Sequence, residues 1–321
     1  MYNRDMREYP MTFEEFTTRF TTEEQCREYL YQLRFPEGFV CPKCKEKVKC
    51  WEVGDSLYEC SKCGRQTSVI AGTIFQDTRK PLKTWFTAIW WITTQKNGAS
   101  AKGLMQVLGL KSYETAWTWL HKIRKAMIFP NRIKLNGRVE VDETYIGGTE
   151  KDGKRGRGTE NKILVAVAVE LIRYKEKDIP GRVRMAVIPD ASGESLKAFV
   201  LSNIEKGSTI ITDGWSSYSF LTENKYGHTA IPKGKAEDKD ELLPHVHLII
   251  SLLKRWLLGT HHGAVSEKHM QSYLDEYVFR FNRRKSAKRG LLFYRLLECA
   301  MAVEPTTYND LVNMTNPPLQ P

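Results

Sequence analysis

Residues 139–146 read VEVDETYI, and two glycines follow at once. Valine, isoleucine and tyrosine alternate with Glu140, Asp142 and Thr144, the period of a β-strand. Glu143 breaks the alternation directly beside Asp142 and is expected on the opposite face of the strand, which makes it the weaker candidate for a shared site. An ionised carboxylate is costly to bury unless something compensates it, so Asp142 needs a partner.

The segments that follow supply one. A polar, Gly-rich stretch, EKDGKRGRGTEN, leads to two further strand patterns, KILVAVAVELI and RVRMAVIPD. This basic stretch reads either as a solvated hairpin tip or as a contact to a phosphate backbone. GESLKAFVLSNIE has the pattern of a helix, and STIITDGWSSY is a β-branched strand ending on Asp213. Three strands, a helix and a fourth strand, with one carboxylate in the first strand and another ending the fourth, match a ribonuclease-H-like α/β domain. Two carboxylates brought together from neighbouring strands repel unless a cation lies between them, and aspartate oxygens suit Mg²⁺ or Mn²⁺. Read in isolation, Asp213 before Gly214 is equally an ordinary turn residue.

Length and charge set the wider frame. A chain of 321 residues, 41% of them hydrophobic, has material for two or three domains. The N-terminus carries charges where a signal peptide is apolar, and WFTAIWWI at 85–92 is too short to span a bilayer. A soluble, cytoplasmic and nucleoid-associated protein is expected, without a membrane partner. Of the net charge of +11, most lies early: residues 1–138 hold 23 Lys/Arg against 14 Asp/Glu, whereas 139–321 hold 26 against 24. Such a surplus favours a polyanion, double-stranded DNA in the simplest case, although a solubilising surface has the same composition.

Cys41-Pro-Lys-Cys44 and Cys60-Ser-Lys-Cys63 are two CxxC turns separated by fifteen residues. Four thiolates at this spacing suit a tetrahedral Zn²⁺, which would be structural because no coordination position stays open. The intervening VKCWEVGDSLYEC reads as a hairpin turning near Gly54-Asp55, hence a zinc ribbon. Cys26 and Cys299 read as small buried hydrophobes and Cys50 as a ribbon residue outside the ligand set. PLKTWFTAIWWITTQ then starts a helix at Pro81, with Trp85, Ile89 and Ile92 at helical spacing. SAKGLMQVLGLKSYETAWTWLHKIRKAM reads as helix, break and helix, a helix-turn-helix-like pattern or an ordinary helical hairpin. Lys122, Arg124 and Lys125 are the DNA-binding candidates on its second helix.

The motifs VEVDETYIGG, ITDGWSSY, SLLKRWLLGTHHGAVSEKHMQSYLDEYVFRFNRR and the ribbon with its FPEGFVCPKC lead-in together resemble bacterial insertion-sequence transposases of the 1595 family, the ISXO2-like members of the DDE-type superfamily. The resemblance runs through nearly the whole chain. It implies a polynucleotidyl transferase that binds terminal inverted repeats, cuts DNA in a metal-dependent reaction and joins the freed 3′ ends to target DNA, assembled as a homo-oligomer when two ends are brought together. Asp142 and Asp213 match the first two acids, and Lys254 of SLLKR matches the basic residue that follows the third. At that third position relatives carry Glu or Asn, whereas this chain has His247, 34 residues after Asp213 and seven before Lys254. A neutral imidazole is a poorer Mg²⁺ ligand than a carboxylate, so His247 is expected to bind metal weakly, to favour Mn²⁺, or to act as an acid/base group. Glu241 is the nearest acidic substitute.

His245, His247, His261, His262 and His269 crowd one segment, but no regular ligand spacing links them into a transition-metal site. Lys254 and Arg255 are phosphate candidates on the same helix, and Arg283 and Arg284 form a second basic cluster behind a core stripe of Met270, Tyr273, Leu274, Tyr277, Val278 and Phe281. The expected organisation is a helical segment over 1–36, a zinc ribbon over 37–78, a helix-turn-helix-like region over 79–135, a ribonuclease-H-like catalytic domain over 136–300 and a tail over 301–321. Two rival readings share these features: an inactive, DNA-binding regulator, and a nuclease or junction resolvase that cuts without joining.

Overall fold

The computed structural model describes residues 9–54, 56–129, 132–147, 162–231, 242–261 and 265–313. The chain divides into two compact units, 1–129 with 286–313, and 130–285 with 314–321. The basic stretch 150–161, Glu241 with the acidic run before it, and His262 lie outside the described residues.

The first unit opens with α1 (Phe13–Arg19) and α2 (Glu23–Arg34). Thr22 and Gln25 form a reciprocal capping box that starts α2. The ribbon follows as β1 (Cys50–Val53), β2 (Leu57–Cys60) and β3 (Gln66–Ser68), an antiparallel sheet in that order. Gly54 turns the first hairpin at φ +60°, a conformation that disfavours a side chain. Next, α3 (Leu82–Thr94) begins after Pro81, which offers no side-chain cap. Glu23 supplies one instead, its carboxylate accepting the Leu82 and Lys83 amides at 2.8 and 3.0 Å. With Leu82, Trp85, Phe86, Ile89, Trp90 and Ile92 all buried, α3 is apolar around most of its circumference and fills the centre of its unit. Then α4 (Ala101–Leu108) ends on left-handed Gly109, and Ser112 caps α5 (Tyr113–Ala126), giving the expected helix, break and helix.

The second unit is built on a five-stranded sheet. Strands β4 (Arg138–Ile146), β5 (Ile163–Tyr174) and β6 (Lys177–Val187) form an antiparallel meander. Helix α6 (Gly193–Asn203) then leads to β7 (Thr209–Thr212), and the short α7 (Phe220–Glu223) to β8 (Gly227–Ala230). The spatial order is β6-β5-β4-β7-β8, with β7 parallel to β4 and β8 parallel to β7. This is the ribonuclease-H-like arrangement expected from the sequence. In β5, Ile163, Val165, Val167 and Val169 pack towards α8 (Pro244–His261) and α9 (Glu267–Asn282), while Leu164, Ala166 and Ala168 join the cluster on the α6 side. One alternating run thus serves two cores.

Strand β6 is an edge, and α9 closes it with side chains. Asn282 accepts the Val183 amide at 2.7 Å and donates back to the Val183 carbonyl at 3.2 Å. Gln271 accepts from the Val187 amide at 2.9 Å and donates to the Met185 carbonyl. Arg284 continues the row on the Gly181 and Pro180 carbonyls. Backbone groups that would template another strand are therefore occupied within the unit.

The remaining helices, α10 (Arg289–Ala302) and α11 (Tyr308–Val312), belong to the first unit. The sequence reading carries the catalytic domain on to residue 300. In the structure Phe293 of α10 seats against Phe16, Phe86 and Trp90, and a Cβ on Gly290 would fall 1.6 Å from the Pro10 carbonyl oxygen. Among the described residues no helix is long and apolar enough to cross a membrane.

Candidate active site and metal centre

The four cysteines of the two CxxC turns meet. Their sulfur atoms all lie within 4.8 Å of one another, and among the described residues no other group of three or more His, Cys, Asp or Glu side chains comes together this way. The two turns share one backbone design. Cys41 N–H donates to the Glu46 carbonyl and Lys45 N–H to the Cys41 carbonyl; Cys60 N–H donates to Arg65 and Gly64 N–H to Cys60. Lys45 and Gly64 both take a positive φ to close these turns. The Cys44 amide points at the Cys41 sulfur, and this donor is the main reason the Cys41 thiol is pushed down to about 6, towards the thiolate that a metal requires. Cys50 stays outside the group and contacts the Tyr31 hydroxyl, while Cys26 and Cys299 are buried.

Register brings the two aspartates to one end of one sheet. Arg138, Val139 and Glu140 of β4 pair with Thr209, Ile210 and Ile211 of β7. Two residues further along these parallel strands, Asp142 and Asp213 are carried to the same carboxyl end of the sheet, where α/β sheets place their ligands. Burial raises the Asp142 carboxyl above its ordinary range, and the Asp213 charge raises it further. The Asp213 carboxylate accepts the Trp215 amide at 3.0 Å, which fixes the turn after β7.

Glu143 lies on the other face of β4, as the strand period requires. There it receives the hydroxyl of Tyr218, a buried residue of the same turn, and burial lifts its carboxyl to about 7. Tyr218 thus ties the Asp213 turn to β4 from behind. Tyr218 belongs to the ITDGWSSY motif, and its role emerges only from the fold that buries it beside β4.

Helix α8 closes the front. Val246, Ile249, Ile250, Leu253 and Leu257 bury one side of it, and His247, Lys254 and Arg255 fall outside that buried stripe. His247 Nε2 lies 3.2 Å from Asp142 Oδ2. Lys254, two turns on, is exposed. One layer deeper, buried Glu140 meets His245 Nδ1 and accepts the Val246 amide, both at 2.7 Å. Asp142 of β4 thus has His247, in the first turn of α8, at 3.2 Å and feels the charge of Asp213 at the end of β7.

The basic candidates divide sharply. Arg124 is buried and donates to the Ala99 carbonyl, holding α5 to the segment before α4, so it presents no surface to a phosphate. Lys122 is half-buried, with its ammonium pKa lowered by desolvation, and Lys125 donates to Thr306 Oγ1 at 2.6 Å. Trp117 of α5 packs edge-on to Tyr308 of α11, so the exposed end of α5 is its N-terminal turn, with Lys111, Tyr113 and Glu114. Arg255 is exposed, whereas the Arg283 and Arg284 guanidiniums lie over the Phe279 and Phe281 rings at 4.1 and 3.8 Å and bond to backbone carbonyls.

A ribonuclease-H-like sheet with two aspartates at its carboxyl end, in a chain that also carries a four-cysteine ribbon, agrees with the transposase resemblance of the motifs. Comparison with known proteins bears this out: residues 134–282 match the ISXO2-like transposase domain and residues 21–66 the transposase zinc-ribbon domain. Residues 134–282 thus belong to the ISXO2-like transposase domain family and residues 21–66 to the transposase zinc-ribbon family. The chain is also similar to a Halobacterium salinarum protein described as an uncharacterized protein in transposable element ISH50, with 26% identity over 293 residues, 85% of this chain and 95% of that one.

Proposed function

We propose that this protein is the active transposase of an insertion sequence, binding the element's terminal inverted repeats, cleaving there and transferring the freed 3′ ends to target DNA. The observation that carries the reading is the β4/β7 register, which delivers Asp142 and Asp213 to one end of one sheet. The donor set fits a hard divalent cation: two carboxylates, one of them held above its ordinary pKa by burial and by its neighbour's charge, a strain that a cation relieves. Asp142 and Asp213 would hold Mg²⁺ or Mn²⁺, which supplies Lewis acidity at the phosphate and lowers the pKa of the attacking hydroxyl. His247 sits where it can orient Asp142 or take a ligand position of its own, and an imidazole there favours Mn²⁺ over Mg²⁺. Lys254 and Arg255 offer exposed cations on the same helix for the phosphate backbone.

Cys41, Cys44, Cys60 and Cys63 would hold Zn²⁺ with all four positions filled, giving the ribbon a structural and DNA-positioning role. End recognition belongs to the first unit, with the exposed start of α5 as the base-reading candidate, and pairing of two ends calls for a homo-oligomer. The test is single-turnover cleavage and joining of labelled DNA carrying the element's own ends, in Mg²⁺ and in Mn²⁺. Cutting followed by joining supports the proposal. Binding without cutting in either metal makes the chain a DNA-binding regulator, and cutting without joining makes it a nuclease.

A further inference from the structure

We infer that Glu140 is a positioning residue: by gripping the first turn of α8 it sets that helix's register on β4 and so places His247 against Asp142. The inference rests on the proposed reading of Asp142 and His247 as parts of the reacting site.

Glu140 is only 4% exposed and sits on the same face of β4 as Asp142, one pleat deeper. Stability alone does not explain a carboxylate there, since a buried polar pair often contributes no more than apolar side chains of similar volume. Its contacts are specific instead. Oε1 meets His245 Nδ1 and Oε2 takes the Val246 N–H, each at 2.7 Å. The far nitrogen of the same imidazole, Nε2, lies 3.0 Å from the Asp178 carbonyl oxygen, which can only accept, so the ring donates there and is fixed at both ends. Asp178 is itself held by Arg138 of β4 and by Arg173.

The apolar stripe of α8 sets the phase of the helix, and the grip adds a polar check on it at the first turn. Strand β4 offers carboxylates at 140 and 142, and α8 offers imidazoles at 245 and 247, the same spacing on both sides. An imidazole-to-carboxylate match alone would accept α8 slid by two residues, with His247 on Glu140 and nothing on Asp142. The helix end removes the ambiguity. Pro244 has no N–H, the His247 N–H already bonds the Leu243 carbonyl, and the Val246 N–H is the first-turn amide that Glu140 takes. In the slid register Glu140 would face the Leu248 amide, which helical geometry commits to the carbonyl four residues earlier. Glu140 therefore recognises the start of the helix as well as a histidine, and only one register satisfies it. The carboxylate also lies at the favourable end of the α8 dipole.

The test uses the full-length protein with Glu140→Ala, Glu140→Gln, His245→Ala, His247→Ala and the Glu140→Ala/His247→Ala double variant. Hydrogen exchange of the 245–247 amides and the rate of His247 modification by diethylpyrocarbonate, both read by mass spectrometry, need no catalysis. Both are expected to rise in Glu140→Ala, while exchange at Leu253 in the core of α8 stays as in the wild type. Glu140→Gln keeps an acceptor for the Val246 amide and is expected to restore most of the protection, which also covers the case in which Glu140→Ala does not fold. In single-turnover cleavage Glu140→Ala and His245→Ala are expected to lose on the order of 100-fold, as a misplacement of about 1 Å would cost, with end binding unchanged. On the His247→Ala background the Glu140→Ala loss is expected to vanish, because a residue acting through His247 has nothing left to position. Unchanged exchange at Val246 in Glu140→Ala, or losses that simply multiply in the double variant, would overturn the inference. An inactive wild type would sink the proposed function instead, leaving exchange and His247 modification to decide the register claim.

Discussion

The cysteine cluster and the proposed acid centre of this chain are made in opposite ways. The cysteine centre is local: its four ligands fall within residues 41–63, on two turns that repeat the same pair of backbone hydrogen bonds. The acid centre is global: Asp142, Asp213 and His247 come from two strands and a helix, and only a parallel strand register and a docked helix end bring them together. A local centre tolerates much change elsewhere, whereas a global one depends on every contact that sets register. The catalytic role proposed for the second explains why polar groups such as Glu140, His245 and Tyr218 surround it.

The largest effect should come from the acid centre itself. Asp142→Asn or Asp213→Asn is expected to lower single-turnover cleavage by about a thousandfold or more, through loss of metal-assisted catalysis, while gel-shift affinity for the ends changes little. Breaking the local centre should act on binding instead. Cys60→Ser, or removal of metal with a chelator, is expected to release zinc and unfold the ribbon, and with it to weaken end binding by about tenfold or more. Metal analysis and gel shifts check this, and a Cys60→Ser protein that bound ends normally would dissolve the contrast.

Two smaller effects probe polar groups that hold the second unit without belonging to either centre. Asp275 of α9 is buried beside Gln271, and burial lifts its carboxyl from an ordinary 3.8 to about 7. The fold therefore holds a proton that the unfolded chain gives up. That contribution is whole below about pH 4 and is lost as the pH rises through 7, amounting to a few kcal/mol. Asp275→Asn should flatten the stability profile between these limits in thermal melts at a series of pH values. Asn282→Ala strips the partner from both backbone groups of Val183 and should cost roughly 1–3 kcal/mol at neutral pH. It should leave zinc content untouched.

The same contrast governs how much the sequence disclosed. The ribbon was legible because metal-ligand spacing is a local property, and the three strands, helix and fourth strand were legible from their periods. Asp142, Asp213 and His247 could be nominated from motif order, and the structure sets His247 3.2 Å from Asp142 and the charge of Asp213 near it. The grip of Glu140 on α8 was not legible, although the alternation of VEVDET already put Glu140 on the face of Asp142; a helix end reveals its free amides only once it is docked. The use of Gln271 and Asn282 as substitutes for a sixth strand was hidden for the same reason. Arg124 looks like a surface cation because its neighbours in HKIRKAM are charged, yet helical phase turns it inward towards the Ala99 carbonyl. The return of α10 to the first unit depends on where Phe293 finds aromatic partners, a choice that no local pattern records.

The most direct test of the two-centre account is anomalous diffraction from crystals of the protein grown with zinc and soaked in Mn²⁺, with data collected at both metal edges. The account predicts a zinc peak among Cys41, Cys44, Cys60 and Cys63 and a manganese peak between Asp142 and Asp213, with His247 beside it. Manganese absent from the two aspartates, or a metal gathered by the other histidines of α8 and α9, would contradict it.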